Sequence, residues 1–189
     1  MRHLGTVTME TERLILRKCR PDDYREAFLH CCSDPELARL QNYDVHKTDD
    51  VTRRSFLEKA AQYETDPSFY GWAITDKASG TFMGEIALVH YDAEENTFDT
   101  GYSIGRAFRR QGFMKEALAA VTDFALGTLG ADAVYALILA DNLPSRRCAL
   151  SAGYVFVRTI PDFRDDVYEG PIDRYECTKA RSGSKTAER

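Results

Sequence analysis

At Arg109-Arg110-Gln111-Gly112 the apolar pattern of this chain changes period. Upstream, three short stretches read as strands: Tyr70 to Thr75, Phe82 to His90 and Phe98 to Ile104. The connectors Asp76-Lys77-Ala78-Ser79-Gly80 and Asp92-Ala93-Glu94-Glu95-Asn96 are turn-like, so an antiparallel meander is expected. Downstream, Met114, Ala117, Leu118, Val121, Phe124, Ala125 and Leu129 recur at helical spacing between Gly112 and Gly130. A strand, a basic glycine-bearing loop and a helix thus follow one another directly. A helix start leaves unpaired N–H groups and a partial positive charge, which together bind anions. Gly112 would let the backbone approach a bulky pyrophosphate, and Arg109, Arg110 and Lys115 would add charge-assisted contacts. The plainer alternative is a helix start with solvated basic residues.

The rest of the chain completes an α+β pattern. Arg13-Leu14-Ile15-Leu16-Arg17 reads as a first strand. A helix is expected from Pro21 to about Cys32, with Tyr24, Phe28 and Leu29 on one buried face. Thr48-Asp49-Asp50 opens another. Val134 to Leu139 is apolar on both faces, as in a buried strand. Asn142-Leu143-Pro144-Ser145 starts a short helix with Asn142 as its cap, and Gly153 closes it. Tyr154 to Thr159 and Arg174 to Thr178 are the last strands expected. The polar tail, 181–189, is expected to be disordered, leaving 1–180 as one domain.

Composition narrows the classes of function. The 189 residues suit one domain of ordinary size, and 43% hydrophobic with 29% charged residues is a globular mixture. A net charge of −5 argues against general nucleic-acid binding, although a local basic pocket is compatible with it. No apolar run approaches a membrane span, and the first residues lack an apolar core of signal-peptide length, so a cytoplasmic protein is expected. The five cysteines, Cys19, Cys31, Cys32, Cys148 and Cys177, form no C-x-x-C pair, so no metal is expected and reduced thiols are the simpler reading. A nucleotide P-loop and the dinucleotide fingerprint are both missing.

Read together, Thr100-Gly101-Tyr102-Ser103-Ile104, Arg109 through Leu118, and Asn142-Leu143-Pro144-Ser145 through Ala152-Gly153-Tyr154 resemble the GNAT superfamily of N-acetyltransferases. The resemblance is to the branch containing the ribosomal-protein N-terminal acetyltransferases. It extends from Glu12-Arg13-Leu14-Ile15-Leu16-Arg17 to Tyr175, with Thr11-Glu12-Arg13-Leu14 as a familiar opening of the branch. In the signature Q/R-x-x-G-x-G/A, Arg109 fills the first position and Gly112 the fourth, while Met114 departs from the small sixth residue.

The resemblance implies a mixed, mostly antiparallel sheet flanked by helices, whose parallel central strands, Phe98–Ile104 and Val134–Leu139, splay apart. It implies acetyl-CoA as cosubstrate, its pyrophosphate held by backbone amides of Arg110, Gln111, Gly112, Phe113, Met114 and Lys115. Main-chain groups near Ser103 and Ile104 would bind pantetheine, and one N–H there would polarise the thioester carbonyl. Asn142 and Ser145 resemble the residues that touch pantetheine and sulfur; capping and ligand contact are compatible roles for Asn142.

For the leaving thiolate, many members carry a tyrosine acid where this chain has Ala149, so Ser145 is the nearest substitute, with Tyr154 or water as lesser options. Glu85 and Asp99 are the carboxylates best placed as base, and each is also readable as a structural or surface acid. His46 lies in a loop that often borders the acceptor pocket, and Cys148 reads as a core or wall cysteine rather than a nucleophile. The implied reaction is direct acetyl transfer to a primary amine, either a protein N-terminus or a small molecule. The alternative is a non-catalytic acyl-CoA-binding module. A homodimer is common among relatives.

Overall fold

The computed structural model describes residues 3–41, 43–164 and 169–179. Its strands are Met9–Glu10 (β1), Leu14–Arg17 (β2), Tyr70–Asp76 (β3), Phe82–Asp92 (β4), Thr97–Ile104 (β5), Ala133–Leu139 (β6), Val155–Arg164 (β7) and Glu169–Thr178 (β8). They form one open sheet in the order β1-β2-β3-β4-β5-β6-β8-β7. Every neighbouring pair is antiparallel except β5 and β6. The expected meander is β3 to β5. Helices Tyr24–Ala27 (α1), Pro35–Gln41 (α2), Asp49–Thr65 (α3), Phe113–Asp123 (α4) and Leu143–Ser151 (α5) complete this mixed α+β fold.

Two apolar cores lie on the two faces of the sheet. One face carries Trp72, Ile86, Phe98 and Tyr102 against Met114, Ala117, Leu118 and Val121 of α4 and Ala149 of α5. All seven apolar positions of the downstream helical pattern are buried, as an amphipathic helix requires. The other face packs Ala73 and Phe82 against Ala27, Cys31, Cys32 and Phe56, from α1, the turn after it and α3. Gly84 lets β4 and β5 close up, because a Cβ there would lie 2.2 Å from the Ser103 carbonyl oxygen.

Several local expectations are corrected. The segment 21–32 is not one regular helix: a 3-10 turn over Pro21–Asp23 leads into α1 and then a π turn over Phe28–Cys32. The wider i→i+5 closure shifts the inward side chains, so Ala27, Cys31 and Cys32 are buried while Leu29 lies in solvent. The helix from Gly112 similarly ends in a π turn, Phe124–Leu129. Strands β7 and β8 run longer than expected, since 160–164 and 169–173 are stabilised by pairing with each other rather than by alternating burial. Pro161 is tolerated there because β7 is an edge strand with a bulge between Ile160 and Phe163. The short α2 was not anticipated. The expected disordered tail, 181–189, lies outside the described residues.

Candidate functional site

The site begins where β5 and β6 part. They pair in parallel only at Thr97–Ala133, Phe98–Val134 and Asp99–Tyr135. At the fork the nearby backbone N–H groups of Thr100 and Leu137 favour the ionised form of the Asp99 carboxyl. Burial nevertheless dominates and pushes the Asp99 carboxyl up to about 6, against the opposing charges of His90 and Arg174. Beside the fork lies a cavity of about 780 Å³. Tyr102, Ser103 and Ile104 of β5 form one wall, Asn142, Ser145 and Cys148 another, and α2 contributes Glu36, Leu37 and Leu40.

The loop before α4 supplies the end of this cavity through Arg109, Arg110, Gly112, Phe113, Met114 and Lys115. Gly112 has φ +83°, and Arg110 also lies in the left-handed region at φ +64°. A non-glycine residue held there costs of order 1 kcal/mol, strain of the kind found at ligand-binding turns. Residue by residue, the loop divides. Arg110 and Lys115 are exposed cations at the cavity. The Arg109 guanidinium instead faces Asp34 (3.4 Å) and Glu36 (3.5 Å), and its Nε donates to the Ile104 carbonyl. Its charge is thus answered by α2 and the turn before it. Gln111, expected at the coenzyme, does not line the cavity; its amide donates back to the Ala107 carbonyl at 2.9 Å.

At the opposite wall, Asn142 caps α5 by accepting the Ser145 N–H at 3.1 Å. The Ser145 hydroxyl donates to the Tyr102 hydroxyl at 2.9 Å, and the Tyr102 hydroxyl donates to the Ser145 carbonyl at 3.3 Å. Burial holds the Tyr102 phenol well above its usual range, so it stays protonated. Tyr102 is a site residue that sequence reasoning missed. Strand alternation puts Tyr102 on the same face as Phe98, a signal that could have marked it, but its partner Ser145 lies 43 residues away. Tyr154, the lesser candidate acid, is buried against Thr122 at 2.7 Å and stays outside the cavity. Cys148 does line it, and burial pushes that thiol up to about 11.

The candidate bases are elsewhere. Asp99 and Glu85 share the opposite sheet face from Tyr102, and neither lines the cavity. Glu85 forms an ion pair with Lys59 of α3 and accepts the Cys19 thiol at 3.3 Å. Burial opposes the charge on Lys59, but Glu85 and the neighbouring thiols outweigh it and raise its pKa. His46 is bound to Thr52 at 2.8 Å, and burial first, then Lys59, lower its pKa. Among the described residues no group of three or more His, Cys, Asp or Glu could hold a metal ion, and no helix is long and apolar enough to cross a membrane.

A family model described as an acetyltransferase (GNAT) domain matches residues 13–155, which include the fork, the loop and α5. The chain belongs to the GNAT acetyltransferase family. It is therefore an acetyl-CoA-dependent acyltransferase, and this GNAT protein has relatives of known sequence and structure. The uncharacterized N-acetyltransferase YoaA of Bacillus subtilis (strain 168) is 26% identical over 147 residues, covering 77% of this chain and 81% of its own. The ribosomal-protein-S5-alanine acetyltransferase of Vibrio fischeri shares the fold with a TM-score of 0.75 at 14% identity, over 91% of this chain and 96% of that one. The microcin C7 self-immunity acetyltransferase MccE, solved with acetyl-CoA and AMP, has a TM-score of 0.74 at 14% identity, over 89% and 93%. These two likenesses establish the GNAT fold.

Proposed function

We propose that this GNAT protein transfers acetyl from acetyl-CoA to a primary amine by direct attack, with 1–180 as the catalytic domain. One observation carries the reading: a single cavity joins the fork between β5 and β6, the left-handed loop before α4 and the start of α5. Its size and chemistry fit an elongated, phosphorylated thioester. The loop and first turn of α4, with Arg110 and Lys115, line the end suited to pyrophosphate, where the free amides of a helix start would bind it. Ser103 and Ile104 lie on the part of β5 that β6 leaves unpaired, where an extended pantetheine arm finds main-chain partners.

The amine nitrogen attacks the thioester carbonyl, the C–S bond breaks, and the thiolate leaves. Ser145 is the proposed donor to the sulfur, with Tyr102 fixing its hydroxyl. When Ser145 turns its proton to sulfur, Tyr102 can turn its own O–H from the Ser145 carbonyl to Ser145 Oγ. Asp99 is the preferred base, directly or through water. Its carboxyl is raised toward the range useful near neutral pH, whereas Glu85 is occupied by Lys59 and Cys19. Base and acid then approach from opposite faces of the sheet.

The acceptor is a protein N-terminus or a small amine. The V. fischeri likeness supports the first, and the net charge of −5 favours a cationic acceptor of either kind. Titration calorimetry with acetyl-CoA, followed by thiol release with a panel of N-terminal peptides and small amines, tests the reading. Binding followed by amine-dependent thiol release is expected. Folded protein that does not bind acetyl-CoA at high micromolar concentration overturns it, and binding without turnover points to a sensor.

A further inference from the structure

The opening Thr11-Glu12-Arg13-Leu14 is far in sequence from the coenzyme loop, yet its side chains close onto that loop. Thr11 and Leu14 form a tight turn, with Thr11 N–H donating to the Leu14 carbonyl and Leu14 N–H to Thr11 Oγ1, each at 3.0 Å. Glu116, in the first turn of α4, is received by this turn. Its Oε1 accepts Thr11 Oγ1 at 2.5 Å and the Arg13 N–H at 2.9 Å, and its Oε2 accepts Arg13 Nε at 2.7 Å. Burial would raise this carboxyl, but the bonds from Thr11 and Arg13 and the Arg13 charge together lower it, so it is ionised at neutral pH.

With Nε and Nη2 committed to Glu116, Arg13 presents Nη1 to the Gln111 carbonyl at 2.9 Å. Its guanidinium carbon lies 4.5 Å from the centroid of the Phe113 ring, and Phe113 lines the cavity. A Cβ at Gly112 would lie 3.3 Å from Arg13 Nη2, so guanidinium and loop are in close contact.

This geometry has a directional consequence. In a trans peptide the C=O and the following N–H point to opposite sides. Drawing the Gln111 carbonyl outward to Arg13 therefore turns the Gly112 N–H the other way, and Gly112, unlike Gln111, belongs to the cavity wall. We propose that Arg13, held by Glu116, is the positioning residue that locks the Gln111–Gly112 peptide with its N–H toward the coenzyme pyrophosphate. The loop contains two left-handed residues, Arg110 and Gly112, and relaxes easily without an external tie. Arg13 supplies that tie, and its planar fork reaches carboxylate and carbonyl together as a lysine cannot. The inference rests on the coenzyme reading of the cavity.

The test is calorimetry with free coenzyme A, paired with steady-state kinetics, on the full chain and on Arg13→Met, Arg13→Lys and Glu116→Gln. Arg13→Met should bind coenzyme A about tenfold more weakly and raise the KM for acetyl-CoA alike, with kcat at saturation within about twofold. Arg13→Lys, able to keep one of the two acceptors, should fall between, and Glu116→Gln should weaken binding about threefold. A purely structural arginine would lower the melting temperature while folded protein kept full coenzyme affinity, and that result overturns the proposal. Should Arg13→Met fail to fold, unchanged affinity in Glu116→Gln and Arg13→Lys overturns it equally. Failure of the unaltered protein to bind coenzyme A would sink the coenzyme reading itself, whereas unaltered affinity in the variants sinks only the clamp.

Discussion

The Ser145 hydroxyl donates to the Tyr102 hydroxyl at 2.9 Å, and this bond joins the first turn of α5 to the strand bordering the cleft. Both residues line the same cavity, where the thioester sulfur would lie in the proposed reaction. The position where many family members carry a tyrosine acid is Ala149 here, fully buried in the core. A phenol has instead reached the cavity from β5.

If Ser145 acts on sulfur and Tyr102 positions it, Ser145→Ala should lower kcat about 100-fold and Tyr102→Phe about tenfold, with little change in acetyl-CoA affinity. The double variant should be no worse than Ser145→Ala, because Tyr102 works through Ser145. Additive losses in steady-state kinetics would separate the two roles.

Asp99 predicts opposite changes in activity and stability. As the base, it must be ionised, so kcat/KM should fall as pH drops through about 6. Asp99→Asn should lose that limb along with most activity. Its folded pKa lies above the ordinary carboxylate value, so ionisation disfavours the folded state. That penalty is absent below the unfolded pKa and grows as pH rises to about 6. Asp99→Asn should therefore melt higher than the parent at pH 8, and the gain should vanish below pH 4 in calorimetric scans. A less stable, fully active variant would remove Asp99 from the mechanism.

Glu85 should behave as a structural acid. Lys59→Met leaves its carboxylate without the ammonium in a half-buried place and should cost about 1–3 kcal/mol. The double change Lys59→Met with Glu85→Met should restore much of that loss in a denaturation cycle. Glu85→Gln should keep the pH limb assigned to Asp99.

Cys148 reports on the cavity. With its thiol pushed up to about 11 by burial, it should react slowly with a maleimide at pH 7 and faster as pH rises. Coenzyme A should protect it, since Cys148 lines the cleft with Ser145. Mass spectrometry with and without the ligand reads this directly; unprotected Cys148 would argue that the ligand binds elsewhere.

Patterns of short range were legible in the chain. The period change at Gly112, the alternating strands of the meander and the Asn142 cap each depend on residues within a turn or two of one another. The family signature lay on those same segments. Side-chain partnerships were not legible, because each depends on segments that only folding brings together. Arg109 looked like a phosphate ligand until α2 and the turn before it placed Asp34 and Glu36 beside it. Glu85 looked as good a base as Asp99 until Lys59 of α3 occupied it.

The sequence by itself determined a strand, a basic glycine-bearing loop and a helix in succession, since hydrophobic periodicity and turn chemistry act locally. It also made the family recognisable. Only the tertiary structure decided which groups face the cleft. Sheet order brings Tyr102 to Ser145 and the Thr11–Leu14 turn to Glu116 across 43 and more than 100 residues. Burial, a property of the packed whole, then raised Asp99 while leaving Glu85 tied to its ammonium.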